Sequence, residues 1–161
     1  MVTRHLMDSL AVAEHIKGRQ ILDVGSGGGL PGIPLSLVMP DRAFTLLDSN
    51  GKKTRFLTQV VINLGLENVR VVQSRVEDFE GQFDVIVSRA FRSIDGIVNS
   101  TAHLLADNGS LLAMKGPSET HSEDRSIAQT PGFSQDIRRL HVPGLEAERF
   151  VVSMRRTEAG Q

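Results

Sequence analysis

The chain has 161 residues, room for one ordinary α/β domain. With 40% hydrophobic and 23% charged residues it has the composition of a folded globular domain; no apolar run approaches the ~20 residues a bilayer crossing needs, and no signal-peptide pattern opens the chain. Cysteine is absent, which excludes disulfide scaffolds, thiolate zinc sites and cysteine nucleophiles, and the net charge of −1 gives no overall sign of a polyanion partner.

Gln20-Ile21-Leu22-Asp23-Val24 is a short apolar run ending in glycines and predicts a buried strand. Residues 31–39 predict a helix, with Pro31 and Pro34 confined to its opening turn, where proline costs least. A second strand is expected over 43–48. A helix over 52–64 follows, with Phe56, Leu57, Val60, Val61 and Leu64 spaced on one face and Gly65 as its stop. Strands are expected at 69–72 and 83–87, a helix at 94–105, a turn at Gly109 and a strand at 110–114. Strand alternating with helix predicts a parallel sheet covered on both faces. The order then changes. A polar stretch is expected to hold a helix around 118–129, followed by strands at 136–142 and 148–154 joined by the Pro143-Gly144 turn. Domain boundaries of 1–156, with a frayed tail at 157–161, follow from this reading.

The loop Gly25-Ser26-Gly27-Gly28-Gly29-Leu30-Pro31-Gly32 joins the first strand to the first helix. Glycines there permit positive φ and close approach of a ligand to the backbone. The carboxyl end of the first strand is the expected ligand crevice of an open α/β sheet. Asp48 closes the second strand, where a carboxylate accepts hydrogen bonds from ribose hydroxyls. Together these point to a bound nucleoside. Counted from Gly25 the pattern is GxGxG; counted from Gly27 it also fits the dinucleotide pattern GxGxxG. The strand ends at Gly25, so the first register is preferred, and with it S-adenosylmethionine over a nicotinamide dinucleotide. The acidic pair Glu77-Asp78, just past the third strand, is placed to accept from an adenine amino group.

Basic residues gather locally. Fourteen of the eighteen are arginine, whose planar fork suits phosphate and guanine edges. Lys52, Lys53 and Arg55, the pair Arg89 and Arg92, and the pair Arg138 and Arg139 form three groups, and Arg4-His5 adds a fourth. Trp and Tyr are missing, so a base-stacking surface would use Phe, His or Arg. The histidines His5, His15, His103, His121 and His141 show no metal-ligand spacing, and no metal is expected.

The run from Arg4 to Leu10, the loop from Asp23 to Leu35, Leu46-Leu47-Asp48-Ser49-Asn50-Gly51-Lys52-Lys53-Thr54-Arg55-Phe56-Leu57, Gln73-Ser74-Arg75-Val76-Glu77, Ser88-Arg89-Ala90-Phe91 and Met114-Lys115-Gly116 together resemble the bacterial RsmG (GidB) methyltransferases. The resemblance runs from about Arg4 to Arg155. It implies a class I S-adenosylmethionine-dependent, Rossmann-like fold: a mostly parallel seven-stranded sheet with a C-terminal antiparallel hairpin and helices on both faces. It implies methyl transfer from S-adenosylmethionine to N7 of one guanine in 16S ribosomal RNA, with the RNA or the small ribosomal subunit as partner; a cytoplasmic location, the default for this composition, and a monomer are expected beside it.

The family's cofactor contacts match Gly25, Leu30, Val76, Glu77 and Arg89. Ser26, Gly27 and Gly29 belong to the same loop, and Asp48 and Ser49 sit where class I enzymes hold the ribose. Arg89 and Lys115, at the ends of two strands, are the residues expected to act at the reacting end. Arg4, His5, Lys52, Lys53, Arg55 and Arg92 are the expected RNA contacts. Family members usually carry a helical extension ahead of the segment matching Arg4, which this sequence does not include. The alternatives are a class I methyltransferase acting on a small molecule or protein, and an inactive form that only binds the cofactor.

Overall fold

A computed structural model describes residues 2–89, 93–115, 131–141 and 149–157, with the side chains of residues 2–5 excepted. The expected helix at 118–129, the Pro143-Gly144 turn, Arg92, Gly116, the tail beyond Thr157 and the side chains of Arg4 and His5 lie outside these described residues. The elements in chain order are α1 (Val2–Ala11), β1 (Gln20–Val24), α2 (Gly32–Val38), β2 (Ala43–Asp48), α3 (Gly51–Leu64), β3 (Val69–Gln73), β4 (Phe83–Arg89), α4 (Ile94–Thr101), β5 (Leu105–Lys115), β6 (Phe133–Leu140) and β7 (Arg149–Arg156).

The seven strands form one sheet in the order β3-β2-β1-β4-β5-β7-β6. The pairs β1·β2, β2·β3, β1·β4 and β4·β5 are parallel, whereas β7 runs antiparallel to both β5 and β6. The chain therefore builds outward from β1 to β3, then returns to lay β4 on the other side of β1. That reversal opens a crevice at the carboxyl ends of β1 and β4.

Alternation along the strands sends side chains to two covered faces. On one face Ile21, Phe44, Val85, Val87 and Leu112 pack with Val12, Ile16 and Leu35, bringing α2 and the end of the α1 segment onto the sheet. The same side carries α3, whose Leu57 packs with Leu46 and Ile33. On the other face Leu22, Leu47, Ile86, Leu111 and Ala113 pack against Ile94, Ile97 and Val98 of α4. Helices thus cover both faces, as expected from the alternating pattern.

The local signals that end α3 are visible in its geometry. The Asn50 side chain accepts from the Lys52 and Lys53 amides, satisfying two otherwise orphaned donors, and Gly65 closes the helix at φ 62° in the left-handed region. Two boundaries differ from the sequence reading. α4 ends at Thr101, not at 105, and β5 begins at Leu105, not at 110. The cause is a register shift: Phe83 pairs with Leu105 while Val85 pairs with Ser110, so extra residues bulge between them. Gly109 sits in this bulge, where a Cβ would lie 2.9 Å from both the Leu105 side chain and the Phe83 carbonyl oxygen. The terminal strands also begin and end a few residues away from the expected positions. α1 was not anticipated as a helix. It is tied to the far end of the sheet by an ion pair of 3.4 Å between the mostly buried Asp8 and Arg149 of β7.

Candidate functional site

A cavity of about 700 Å³ opens at the carboxyl ends of β1, β2 and β4. Ser88 of β4 and Lys53 of α3 each contribute one residue to its walls, and the rest come from four places. Val24 and Gly25 end β1, Leu47, Asp48 and Ser49 end β2, Ser74 to Asp78 follow β3, and Ile97, Ser100 and Thr101 face it from α4. Val24, Leu47 and Ile97 are buried and apolar, so the cavity presents a nonpolar floor beneath a rim bearing Asp48 and Glu77. The hydroxyls of Ser100 and Thr101 donate back to carbonyl oxygens of their own helix, Thr101 to Ile97 at 2.7 Å.

The glycine loop is held in place largely by its own amides. Gly25 and Ser26 both donate to the Leu47 carbonyl oxygen, at 2.8 and 3.2 Å, and Gly29 donates to the Ser26 carbonyl at 2.7 Å. The Gly27 amide donates to Asp48 Oδ2 at 3.1 Å, while Asp48 Oδ1 accepts from the Asn50 amide at 2.9 Å. Asp48 is thus a brace between the loop and the start of α3. Gly25, Gly27 and Gly29 adopt φ of 71°, 49° and 87°, conformations that other residues rarely take. A Cβ on Gly27 would meet nothing nearer than 3.8 Å and one on Gly28 nothing within 4 Å, so these two leave an open cradle. The loop offers a ligand space and shape. Most of its amide donors are already spent.

The segment after β3 is positioned by aromatic packing. Val76–Asp78 forms a short 3₁₀ turn, Phe79 stacks on Phe83 with ring centroids 6.1 Å apart, and Arg70 lies over the Phe79 ring. The His103 ring bonds the Phe79 carbonyl at 3.0 Å. These contacts hold Glu77 at the rim.

Beneath the loop lies a residue that the sequence reading passed over. Asp23 is 1% exposed; its Oδ2 accepts from the Gly32 amide at 2.9 Å, and its Oδ1 is buried with no hydrogen-bond partner. Burial pushes its pKa up to about 8; the Gly32 amide, the Ser26 hydroxyl and the Arg89 guanidinium oppose that rise, and the Asp48 charge adds to it. A carboxylate inside an apolar run just before the glycine loop was the available signal.

The expected cofactor residues divide. Gly25, Asp48, Ser49, Val76 and Glu77 line the cavity, whereas Ser26, Gly27, Gly29, Leu30 and Arg89 do not. Ser26 is buried and its hydroxyl donates to the Asp23 carbonyl oxygen, a loop-fastening role. Arg89 is exposed at the end of β4, on the opposite sheet face from Ser88, and its charge is felt at Asp23. Lys115 ends β5 and is only 3% exposed, so its ammonium is held inside the protein and does not stand at the cavity mouth. Lys53, expected as an RNA contact, lines the cavity; Lys52 and Arg55 are exposed beside it on α3. Ile97, Ser100 and Thr101 are cavity residues with no recognisable motif around them, and Ser74 and Arg75 line the cavity from within the Gln73 to Glu77 motif without having been singled out.

The family model for rRNA small subunit methyltransferase G (GidB) matches residues 1–152. The chain belongs to this family. The ribosomal RNA small subunit methyltransferase G of Hydrogenovibrio crunogenus is 47% identical over 98% of this chain and 73% of its own length. The protein of that name from Pseudomonas paraeruginosa is 50% identical over 98% of this chain and 74% of its own. The chain thus spans about three quarters of the length of these methyltransferase G relatives. Among solved structures, M. jannaschii TYW2 in complex with AdoMet superposes with a TM-score of 0.70 at 14% identity, covering 95% of this chain and 76% of that one. The fold is that of the class I methyltransferases.

A methyltransferase of this family takes its methyl group from S-adenosylmethionine, and the residues present suit that donor. The cradle at Gly27 and Gly28 is free of Cβ atoms, the apolar floor accommodates a purine, and two carboxylates stand at the rim where hydroxyl and amino donors arrive. Among the described residues no cluster of His, Cys, Asp or Glu could hold a metal ion, and no helix is long and apolar enough to cross a membrane.

Proposed function

We propose that this chain transfers the methyl group of S-adenosylmethionine to N7 of one guanine in 16S ribosomal RNA, acting as a cytoplasmic monomer on the RNA or the small ribosomal subunit. The observation that carries the reading is the cavity at the β1/β4 switch point, with Asp48 and Glu77 on its rim, in a chain matched to this family over nearly its whole length. The donor supplies a methyl group made electrophilic by a sulfonium.

The residues divide the remaining work. Gly25, Asp48, Ser49, Val76 and Glu77 bind and orient the nucleoside, with Asp48 and Glu77 accepting from ribose and adenine. Guanine N7 carries an in-plane lone pair and no proton, so the attack needs no general base, and positioning dominates the chemistry. In support of a binding role, Asp48 already accepts from two backbone amides. A cation directly beside N7 would oppose the positive charge developing on the ring, so Arg89 serves a carboxylate of the donor or an RNA phosphate. Lys115, buried behind the ends of β4 and β5, supports that end of the site from within. Arg4, His5, Lys52, Arg55 and Arg92 contact the RNA, and Lys53 stands between cofactor and RNA. Binding through phosphates weakens steeply with salt.

The test is transfer of tritium from labelled S-adenosylmethionine with 30S particles, deproteinised 16S RNA and cell extract offered separately. Label in the RNA is expected. Label in protein or in a small molecule but never in RNA would contradict the proposal.

A further inference from the structure

The exposed side of α3 carries chemistry that neither the fold nor the cofactor cavity uses. This helix has no acidic residue, yet Lys52, Lys53 and Arg55 crowd its opening turns. A helix N-terminus already bears a partial positive charge, so cations there stand against the dipole, where Asp and Glu are the usual occupants. None of the three has an ion-pair partner among the described residues. The opening turns of α3 thus present a positive surface that no ion pair among the described residues neutralises.

One turn beyond Lys52 lies Phe56, whose surface is 54% exposed. The core does not need this ring, because Thr54 and Leu57 anchor that turn of α3 and are both buried. Among the described residues it is the one exposed phenylalanine; Phe44 and Phe83 are buried, and Phe79, Phe133 and Phe150 are half-buried. Further along the same stripe Gln59 Nε2 donates to Asn63 Oδ1 at 2.9 Å, leaving amide groups facing solvent. Positions 52, 56, 59 and 63 follow the helical repeat, so cation, ring and two amides lie in one line. One turn beyond Phe56 the half-buried Val60 turns toward the core, and the exposed Leu64 follows a turn later, so the ring is the most prominent apolar group at the cationic end of the helix. Lys53, the neighbour of the stripe's first residue, forms part of the cavity wall.

Cations for phosphates, an exposed ring for a base and amides for base edges are what a single-stranded nucleic acid requires. We infer that the stripe from Lys52 to Asn63 is an RNA-docking face on which Phe56 stacks against an unpaired base of the strand that carries the target guanine. The inference rests on the ribosomal RNA reading above and adds to it a stacking residue and a path for the strand.

The test compares the parent with Phe56→Ala, Phe56→Leu and Phe56→Tyr. Each is titrated with 16S RNA in filter binding and with a short single-stranded RNA containing 2-aminopurine, whose fluorescence falls on stacking. Phe56→Ala is expected to weaken RNA affinity roughly 5- to 100-fold. Phe56→Leu keeps an apolar side chain and should still lose the fluorescence quenching, while Phe56→Tyr should keep both. Cofactor affinity by calorimetry, unchanged within about twofold, shows that each variant is folded. Parent-like RNA affinity in Phe56→Ala, or quenching that survives in Phe56→Leu, overturns the inference. So does a parent dimer that Phe56→Ala converts to monomer, since the ring would then cover a second copy. The double variant Lys52→Glu/Arg55→Glu separates the two levels: if it loses RNA binding while Phe56→Ala does not, stacking fails and the RNA reading stands. A parent that binds neither RNA overturns both.

Discussion

Asp48 at the end of β2 accepts a hydrogen bond of 3.1 Å from the amide of Gly27, twenty-one residues earlier in the chain. The same carboxylate holds the Asn50 amide, so one side chain fixes the glycine loop and the start of α3 together. Whatever Asp48 does for a ribose, it does from a position already locked by the backbone.

Asp48→Asn is therefore expected to act on both the loop and the ligand. It turns one acceptor into an NH₂ group facing the N–H of Gly27 or Asn50, leaving a donor unsatisfied. A loss of about 1–3 kcal/mol in S-adenosylmethionine binding is expected by calorimetry, with a lowered melting temperature. Parent-like affinity would remove Asp48 from the ribose role.

Asp23 makes the stability of the fold depend on pH. Its carboxyl holds a proton in the folded state up to about pH 8, while in the unfolded chain it releases it near the ordinary value of 3.8. Between these values the folded state binds more protons, so stability falls as pH rises. The contribution is complete below the unfolded value and lost as pH climbs through the folded one. Asp23→Asn, neutral at every pH, should flatten this slope, by a difference on the order of a few kcal/mol between pH 5 and pH 9 in urea denaturation. Parallel slopes for the two proteins would show that Asp23 is ionised in the fold.

Two neighbouring glycines should respond oppositely to the same substitution. A Cβ at Gly32 would lie 2.3 Å from Leu46 Cδ2 and 2.7 Å from Asp23 Oδ2, in a buried spot with no room to yield. Gly32→Ala is expected to cost about 1–3 kcal/mol or more of stability in thermal or urea melts. Gly28→Ala, with nothing within 4 Å, should melt like the parent and reveal itself only in cofactor affinity.

Arg89 stands at the end of β4, outside the cavity wall, with its charge felt at Asp23. If it reaches the charged end of the donor, Arg89→Ala weakens cofactor binding by roughly 1–3 kcal/mol, the loss of a charged hydrogen bond. Unchanged calorimetric affinity would assign Arg89 to the RNA alone.

The parts of the fold written in local chemistry were legible in the sequence. α3 announces itself by its spacing, its Asn50 cap and its Gly65 stop, and the parallel core by short apolar runs, the first of which ends in glycines. The cavity rim was legible for the same reason: Gly25, Asp48 and Glu77 each follow a strand end. What depended on distant partners was not. The start of β5 is set by a bulge against Phe83, which apolar spacing alone mistakes for a longer helix. The burial of Lys115 depends on what surrounds the end of β5, and the α4 side of the cavity depends on which face of that helix meets β1 and β2. The loop amides of Gly25, Ser26 and Gly27 are engaged by Leu47 and Asp48, a fact of hydrogen-bond geometry that no motif records.

The most direct measurement is made on ribosomal RNA from a bacterium that lacks the small-subunit guanine-N7 methyl mark and carries this chain in its place. Nuclease digestion and mass spectrometry should find 7-methylguanosine restored at a single position of 16S RNA. Expressed, folded protein that binds S-adenosylmethionine yet leaves that RNA without 7-methylguanosine would contradict the account.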